Sequence, residues 1–362
     1  MNMPELPEVE TIRRDLERVV VGRIIESVEV RVRKLFQGDK KSLIGKKLEK
    51  VERLGKMLTL YFSDKRAGEH TFQNQNNFFP AKKFSFTSPI DPDVPSGNQA
   101  QRSAGYSSRY IYQPDQDVVL IIHLKMTGQL IFVNKNQVKS EKLKVKNDDE
   151  VIIGGHPDKL YSTLPPHKHT HIIITFTDGA ALYYNDLRKF GWMKLIKFQI
   201  TNNKYQTNSS SPAGGQILKL RLGIDGLSKA LTLDYLQKIA KNRKITIKQL
   251  LMDQNQIAGI GNIYGDEILY CARVLPTNKA SDLSSGQINN IVKCIPIVLI
   301  KSIEVGGTSS SDYRKIDGSK GGYLDIAWVY GREGLPCRVC RKPIKRIKIG
   351  QRSSHYCPKC QK

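Results

Sequence analysis

The sequence predicts an α+β protein: an antiparallel β-sandwich with a leading helix, then a helical domain, then a short C-terminal hairpin. Apolar residues recur at helical spacing over residues 5–20 and share one face of that segment. From residue 24 the period changes to two, in short stretches separated by turns, which is typical of an antiparallel sandwich. From about residue 231 the spacing becomes helical again.

Five short stretches carry predicted strands, and two polar stretches interrupt them. The strands are expected at 24–32, 57–62, 118–122, 172–176 and 180–184. Residues 66–116 and 134–169 are interpreted as insertions between strands. The second insertion contains His156, His167 and His169. We interpret these histidines as part of a surface loop and not as a metal site, because no cysteine or carboxylate lies beside them at the spacing of metal ligands.

The charge balance indicates a polyanionic partner. The 362 residues include 58 Lys and Arg against 34 Asp and Glu, which gives a net charge of +24. Nucleic acid is the first expectation and an anionic membrane surface the second. The chain has no apolar run of about 18 residues, and its first residues lack the pattern of a secretion signal. We therefore expect a cytoplasmic protein without a membrane span.

Four C-terminal cysteines have the spacing of a zinc site. They form two Cys-x-x-Cys pairs separated by 16 residues, which is enough for a β-hairpin. The four are Cys337, Cys340, Cys357 and Cys360. Their thiolates would close the coordination of one structural Zn²⁺, whereas two disulfides in a secreted module are the alternative. Cys271 and Cys294 lie in apolar helical runs and are predicted to be buried, unreactive thiols.

The densest positive charge lies in the same C-terminal module. Residues 331–362 contain ten Lys or Arg and one acid, Glu333. Adding four thiolates and one Zn²⁺ would still leave a local charge of about +7. Because a metal would hold these side chains on a rigid hairpin, we interpret the module as a phosphate-contacting element and not as a solvated basic tail.

The helical region contains two short helices joined by a turn with two glycines. Residues 245–252 predict the first helix and 263–273 the second, with Gly259 and Gly261 between them. Asn262 is predicted to cap the second helix, where backbone N–H groups can bind a phosphate. This is a helix–two turns–helix pattern, and an ordinary helical hairpin is the alternative.

Three separated motifs occur in a specific order along the chain. They are Pro4-Glu5-Leu6-Pro7-Glu8 at the start, Gly259-Ile260-Gly261-Asn262-Ile263-Tyr264 between the helices, and Val329-Tyr330-Gly331-Arg332 with Gln351-Arg352-Ser353 in the last module. In this combination the chain resembles the formamidopyrimidine-DNA glycosylase family. The resemblance covers 3–64, 118–133, 170–200 and 221–362, and the two insertions depart from the compact family pattern. Leu6 favours this branch over the related endonuclease VIII branch, which usually has glycine there.

The resemblance implies a domain order and a lid. We expect a catalytic β-sandwich domain at 1–200, a linker at 201–220, a helix–two turns–helix DNA-binding domain at 221–328 and a zinc β-hairpin finger at 329–362. The Gly- and Ser-rich segment 306–323, which we call the lesion loop, matches the family's lid over the damaged base. Thr308 lies near its start and Tyr323 at its end, and a plain linker is the alternative.

By resemblance, the catalytic groups lie at the start of the chain. The secondary amine of Pro4 would be the nucleophile if Pro4 is the mature N-terminus, so we expect translation to begin at Met3 and Met3 to be removed. Glu5 would act as general acid and base, with Glu8 assisting. The alternative for Glu5 and Glu8 is that their negative charges only complement the helix dipole. Lys56, with both a catalytic and a DNA-binding role, would contact the phosphate beside the lesion; an exposed strand lysine is its alternative.

The resemblance also implies residues that hold a flipped nucleotide and fill the gap it leaves. Met126, Arg188 and Phe190 match the family's void-filling side chains. Without the resemblance, Met126 and Phe190 would be assigned to the core. Asn262 and Arg352 would bind the phosphates that flank the flipped nucleotide, and Arg352 is also placed among the catalytic groups.

These assignments predict a monomeric, nucleoid-associated bacterial enzyme that acts on duplex DNA containing oxidised bases or abasic sites. It would be a DNA-formamidopyrimidine glycosylase and DNA-(apurinic or apyrimidinic site) lyase. It would remove 8-oxoguanine and formamidopyrimidines, and would cleave the strand by β,δ-elimination through a Schiff base. The first alternative is a glycosylase for oxidised pyrimidines. The second is a non-catalytic, zinc-containing DNA-binding protein, if Pro4 is not the mature N-terminus.

Overall fold

A computed structural model of the chain describes most of the predicted modules. The described residues are 3–64, 118–134, 152–155, 165–197, 199–201, 204–206, 222–308 and 321–362. Most of the two predicted insertions, most of the predicted linker and residues 309–320 of the lesion loop lie outside them. The described chain divides into two compact units, the first formed by residues up to 206 with 300–326, and the second by 222–299 with 327–362. No helix among the described residues is long and apolar enough to cross a membrane.

The first unit consists of helix α1 (Leu6–Val20) and two five-stranded sheets. The strands are β1 (Ile25–Val30), β2 (Phe36–Gln37), β3 (Lys46–Leu54), β4 (Met57–Asp64), β5 (Val118–His123), β6 (Gly128–Val133), β7 (Ile152–Gly155), β8 (Thr170–Phe176), β9 (Ala181–Asp186) and β10 (Trp192–Lys197). One sheet has the order β1-β8-β9-β6-β7 and the other β2-β10-β5-β4-β3. Only the β2–β10 pair is parallel among these strands. A separate hairpin pairs β11 (Gln199–Thr201) with β12 (Lys204–Gln206).

Both sheets contribute to one hydrophobic core, which confirms the predicted sandwich. Leu60 and Leu120 of one sheet belong to the same buried cluster as Phe132 and Ile174 of the other. Val9, Ile12 and Leu16 of α1 join this cluster along one helix face, as the helical periodicity predicts. The core therefore fixes the position of α1, whose first turn carries the predicted catalytic residues.

The N-terminus of α1 is capped by the predicted catalytic residues themselves. Glu5 is the N-cap, and its side chain accepts the backbone N–H of Glu8. The Glu8 side chain in turn accepts the N–H of Glu5, which completes a capping box. Pro7 lies in the first turn, where its missing N–H costs no hydrogen bond. The sequence therefore begins the helix at Leu6, one residue later than predicted.

A tight turn between β3 and β4 presents Lys56. Leu54 and Met57 pair across the hairpin, so Gly55 and Lys56 form the turn. Gly55 has φ +58°, a left-handed conformation that glycine adopts without steric cost. The predicted hairpin lysine is thus confirmed as the end residue of a two-residue turn, although Lys56 is buried and not an exposed strand residue.

The second unit is mainly helical and ends in a two-stranded hairpin. Its elements are β13 (Ile224–Asp225), α2 (Leu233–Ala240), α3 (Ile247–Leu251), β14 (Ile257–Ala258), α4 (Asn262–Cys271), most of α5 (Ser285–Glu304), β15 (Lys345–Ile349) and β16 (Arg352–Tyr356). Helix α6 (Tyr323–Ile326) and the last residues of α5 belong to the first unit. Helices α3 and α4 with the turn between them form the predicted helix–two turns–helix, and β15–β16 forms the predicted finger hairpin.

Two local predictions in the second unit are wrong. Gly261 is the N-cap of α4, and Asn262 is the first helical residue instead of the cap. Cys271 and Cys294 are joined in a disulfide and are not separate thiols. Helices α4 and α5 bring their Cα atoms to 5.9 Å, within the range that a disulfide spans. Helical periodicity places each cysteine inside the unit but contains no information about which buried residue it meets.

A buried ion-pair group joins α1 to the β3–β4 hairpin. The Glu10 carboxylate accepts hydrogen bonds from Arg13, Arg14 and Arg53 at 2.9–3.2 Å. The Arg53 guanidinium also donates to the carbonyl of Gly55 at 3.0 Å. Burial opposes ionisation of Glu10, but the positive charges of Arg13, Arg53 and Arg14 outweigh it and lower the pKa of Glu10. The group therefore ties the helix to the turn that presents Lys56.

Replacing Glu10 with glutamine tests this group by its effect on stability. Glu10→Gln should lower the free energy of unfolding by roughly 3 kcal/mol at pH 7, because it leaves buried guanidinium charges without an anion. The folded-state pKa of Glu10 lies below its ordinary value of 4.5, so its contribution is present above that pH and is lost as the pH falls through the folded value. Urea unfolding at a series of pH values measures the free energy of unfolding of both proteins. The difference between the variant and the unmodified chain should decrease as the pH is lowered.

Glu17→Gln is the matched control on the same helix. Glu17 pairs with Arg13 but its side chain is 40% exposed, so its loss should cost less than about 1 kcal/mol. Equal losses in the two variants, or a Glu10→Gln loss that is independent of pH, would contradict the assignment.

Candidate nucleic-acid interface and zinc centre

The predicted acid pair at the chain start is brought together in the first unit. Glu5 and Glu8 are each 3% exposed. The N–H of the peptide bond between Pro4 and Glu5 donates to Glu8 Oε2 at 2.8 Å. The two carboxyl groups and the nitrogen of Pro4 therefore lie at the N-terminal end of α1. This arrangement allows proton transfer next to a nucleophile, provided that Pro4 carries a free amine.

A neutral histidine lies near Lys56 and escaped the sequence prediction. Burial, together with the positive charges of Lys125 and Lys56, lowers the pKa of His123 to about 3. Its Nδ1 accepts the backbone N–H of Lys125 at 3.0 Å. The ring is therefore neutral at pH 7 and retains Nε2 as a hydrogen-bond donor. The signal in the sequence was its position at the end of a buried strand, three residues before Met126.

The three predicted void-filling side chains form one exposed cluster in the first unit. Arg188 Nη1 lies 3.3 Å from Met126 Sδ, and the guanidinium stands 4.6 Å from the centre of the Phe190 ring. Phe190 is 54% exposed, so it does not belong to the core, where it would be assigned without the family resemblance. A thioether, a guanidinium and an aromatic ring on one surface suit insertion into a base stack.

Asp186 organises the loop that carries this cluster, and the sequence did not reveal it. The fully buried carboxylate accepts the backbone N–H of Gly191 at 2.7 Å and that of Arg188 at 3.2 Å. It also accepts a hydrogen bond from the hydroxyl of Thr127, the residue directly after Met126. Asp186 thus connects the two loops that bear the cluster. His171 of β8 bonds the Asp186 carbonyl at 2.8 Å, which gives this histidine a structural role.

Asn262 has an unpaired polar atom at the start of α4. Its Oδ1 is the one buried side-chain oxygen or nitrogen without a hydrogen-bond partner among the described residues. The preceding turn is shaped by Gln254, whose amide accepts the Gly259 N–H at 2.9 Å and donates to the Ile260 carbonyl at 2.7 Å. Because buried polar groups are almost always paired, this unpaired acceptor indicates a contact with a hydrogen-bond donor of a ligand.

Arg352 opens β16 at the tip of the finger hairpin, as predicted. It pairs with Ile349 across the turn and is exposed. The residues that follow it are attached to α4 by Asp266. The Asp266 carboxylate accepts the Ser354 hydroxyl at 2.7 Å and the His355 N–H at 2.8 Å. The arginine is therefore free to reach a partner while its strand is held.

A buried lysine completes the attachment of the hairpin to α4. Lys248 Nζ lies 2.7 Å from Asp266 Oδ1 and donates to the Ser353 carbonyl at 3.0 Å. Both side chains of the ion pair are essentially inaccessible to water. Since α4 also begins with Asn262, the same helix fixes the two predicted phosphate contacts, Asn262 and Arg352, relative to each other.

The four predicted cysteines converge in one group. Their sulfur atoms all lie within 4.8 Å of one another, with Cys337 to Cys360 at 3.8 Å and Cys340 to Cys357 at 3.3 Å. Tetrahedral coordination at about 2.3 Å places ligand sulfurs roughly 3.8 Å apart, so the group fits one zinc ion. Four thiolates leave no open position for a reactive water, which makes the site structural.

Helix α4 also anchors the zinc module. The Tyr270 hydroxyl lies 3.2 Å from Cys337 Sγ, and its ring stacks on Trp328. The Glu267 carboxylate accepts three successive backbone N–H groups of residues 328–330, each at 2.9 Å. Burial raises the pKa of Glu267, although those hydrogen bonds oppose the shift. The finger is thus attached to the helical part of its own unit by a carboxylate and a phenol.

Comparison with known proteins agrees with this combination of modules. Residues 3–74 and 96–193 match the formamidopyrimidine-DNA glycosylase N-terminal domain, and residues 222–314 match the H2TH domain of the same family. The chain belongs to the formamidopyrimidine-DNA glycosylase family. Residues 334–362 match the zinc finger found in FPG and IleRS, so the C-terminal module of this family member is a zinc finger.

Full-length relatives support the family assignment. A formamidopyrimidine-DNA glycosylase from Prochlorococcus marinus (strain MIT 9215) is 34% identical, over 99% of this chain and 100% of that protein. A Lactococcus lactis FPG variant in complex with Fapy-dG containing DNA is 26% identical, with a TM-score of 0.68 over 99% of this chain and 100% of that one. A complex of Lactococcus lactis Fpg with DNA containing an abasic site is 25% identical, with a TM-score of 0.67 over 99% of both chains.

The tyrosine beside the zinc group provides a test of the metal site. Tyr270→Phe should weaken zinc binding by about tenfold or more, because the phenol donates a hydrogen bond to a ligating thiolate. Competition with a chromogenic zinc chelator measures the change. Tyr356→Phe removes a hydroxyl from the same finger and should leave zinc affinity near that of the unmodified chain. Equal zinc affinities for the unmodified chain, Tyr270→Phe and Tyr356→Phe would show that the Tyr270 hydroxyl does not stabilise the bound zinc.

Proposed function

We propose that this family member is a DNA glycosylase and AP lyase that removes oxidised purines, 8-oxoguanine and formamidopyrimidines, from duplex DNA. The observation that carries the proposal is the buried Glu5–Glu8 pair on the peptide that follows Pro4. A secondary amine and a carboxyl group at the same helix N-terminus suit amine-mediated removal of a base. The Lactococcus lactis relative bound to Fapy-dG containing DNA supports the same substrate class.

The chemistry begins with the amine of Pro4. An α-amino group titrates near pH 8 and a lysine amine near 10.4, so roughly a tenth of the former is neutral at pH 7. The neutral nitrogen attacks C1′ of the damaged nucleotide, the C1′–base bond breaks, and the base leaves with a proton. Opening of the sugar ring gives an iminium ion between the Pro4 nitrogen and C1′. Glu5 supplies and removes the protons at the ring oxygen and at C2′.

Strand cleavage follows from the iminium ion. This electron sink makes the C2′ proton acidic, and its removal expels the 3′-phosphate by β-elimination. A second elimination expels the 5′-phosphate, so the nucleotide is lost from the strand. Water then hydrolyses the iminium ion and restores the amine of Pro4.

The reaction requires that Pro4 is the first residue of the mature chain. With Met1–Asn2–Met3 attached, the Pro4 nitrogen is part of an amide and has no nucleophilic lone pair. We propose that translation begins at Met3 and that Met3 is removed. A chain that retains these residues would bind DNA without forming a covalent intermediate.

The remaining site residues bind and distort the duplex. Lys56, Asn262 and Arg352 hold phosphates near the damaged nucleotide. The cluster of Met126, Arg188 and Phe190 fills the gap left by the flipped nucleotide. The partner is duplex DNA with an oxidised base or an abasic site, bound by a monomer at the nucleoid of a bacterial cell.

Borohydride trapping tests the enzyme proposal. The chain that starts at Pro4 should form a covalent adduct with a duplex carrying 8-oxoguanine opposite cytosine, because borohydride reduces the iminium ion to a stable amine. The chain that starts at Met1 is the matched control and should form none. Adducts only with oxidised pyrimidines would support the first alternative activity. DNA binding without adducts from either chain would support the non-catalytic alternative.

Replacing Arg352 tests its phosphate contact. Arg352→Ala should weaken binding to all duplexes alike and lower the slope of log K against log salt by about one, since one phosphate contact is lost. Lys238→Ala removes the same charge from α2 and should leave the slope within a few tenths of the original value. Fluorescence anisotropy over a salt series measures both, and an unchanged slope in Arg352→Ala would remove this residue from the phosphate set.

A further inference from the structure

Glu8 makes contacts beyond its capping role, because its second carboxylate oxygen faces the base of the lesion loop. Oε2 accepts the N–H of the Pro4–Glu5 peptide at 2.8 Å. Oε1 accepts the backbone N–H of Thr308 at 2.8 Å and the Thr308 hydroxyl at 3.0 Å. Glu8 and Thr308 are both buried, so these hydrogen bonds are shielded from competing water.

The backbone around Thr308 is shaped for this approach. Gly307 has φ +79°, and a Cβ atom there would lie 2.9 Å from Glu8 Oε1, too close for a real contact. Its N–H donates to the carbonyl of Ser302 at 2.7 Å, which holds the turn after α5. Only glycine combines this conformation with this proximity, so a side chain at residue 307 would separate Thr308 from Glu8.

Both ends of the lesion loop are joined at the same place. Thr308 and Gly322 form an isolated β-bridge, and the Tyr323 N–H donates to the carbonyl of Gly307 at 3.1 Å. A Cβ on Gly321 would collide with the carbonyl oxygens of Gly306 and Gly307 at 2.5 Å. The two ends of the lesion loop are thus packed backbone to backbone, and Glu8 holds this base.

We propose that Glu8 is a positioning residue that couples the base of the lesion loop to the peptide of Pro4 and Glu5. This proposal rests on the proposed function and assigns Glu8 a role other than proton transfer. Its two oxygens accept three donors from two parts of the chain, one of which carries the nucleophile. A displacement of Thr308 would then be transmitted through Glu8 to the Pro4–Glu5 peptide.

The proposal predicts that loss of the Thr308 hydroxyl slows both reactions that use the Pro4 amine. Thr308→Val keeps the shape of the side chain but removes one donor to Glu8. It should slow single-turnover excision of 8-oxoguanine about tenfold or more, the effect of losing a hydrogen bond to a charged group. Cleavage of a preformed abasic duplex uses the same Pro4 amine and should slow by a similar factor. Thr308→Ser keeps the hydroxyl and should excise within about twofold of the unmodified chain.

Two further variants separate coupling from general damage. Thr11→Val removes a hydroxyl of the same helix that bonds the Pro7 carbonyl at 3.0 Å, and it should leave both reactions unchanged. In Glu8→Gln the side-chain amide has one accepting oxygen, which cannot serve both Thr308 and the N–H of Glu5. In the Glu8→Gln/Thr308→Val double variant, excision should be no slower than in Glu8→Gln alone, because the two residues act as one unit.

Hydrogen exchange decides the proposal independently of activity. Thr308→Val should raise amide exchange in the peptide that contains Glu5, whereas Thr11→Val should not. Slowing of only one of the two reactions, additive loss in the double variant, or unchanged exchange near Glu5 would each overturn the coupling. An unmodified chain that neither excises bases nor cleaves abasic duplexes would refute the proposed function, and the exchange result would still decide the role of Glu8.

Discussion

The second unit depends on the burial of two adjacent carboxylates of α4. Asp266 and Glu267 are fully inaccessible to water, and an unpaired buried carboxylate costs several kcal/mol. Asp266 is compensated by the charge of Lys248 and by donors from β16. Glu267 is compensated by three backbone N–H groups at the start of the zinc module. Because both sets of donors lie in the C-terminal module, that module has one low-energy position on the helix.

Because the two carboxylates fix the C-terminal module on α4, they also fix the position of its short basic hairpin. A finger with ten cationic residues would otherwise attract DNA without orienting it. The zinc thiolates order the hairpin internally, and Asp266 and Glu267 order it relative to α4. Arg352 at its tip and Asn262 at the start of α4 are then held by the same buried network. In the first unit, Glu8 and Glu10 have the corresponding role, since each joins α1 to a segment distant in the sequence.

Prediction from the sequence succeeded where the pattern is local and failed where packing changes it. Strand β3 was missed because a register shift between Leu48 and Lys50 puts Leu48 and Val51 on the same face, three residues apart. Strand β6 was missed because all its residues are buried, so it shows no alternation. The site residues came from the family resemblance. His123 and Asp186 were missed because their importance lies in contacts that no short motif reports.

The sequence by itself determined the excess of positive charge through composition and the four zinc ligands through spacing. It determined the family and the order of modules through the resemblance of three motifs. The tertiary structure alone decided which side chains meet. It joined Cys271 to Cys294, assembled Met126 with Arg188 and Phe190, and brought Thr308 to Glu8. The last contact spans 300 residues. The physical reason is that the sequence pattern specifies only that a residue is buried, whereas tertiary packing selects the residue it meets, and a buried polar or charged group requires such a partner.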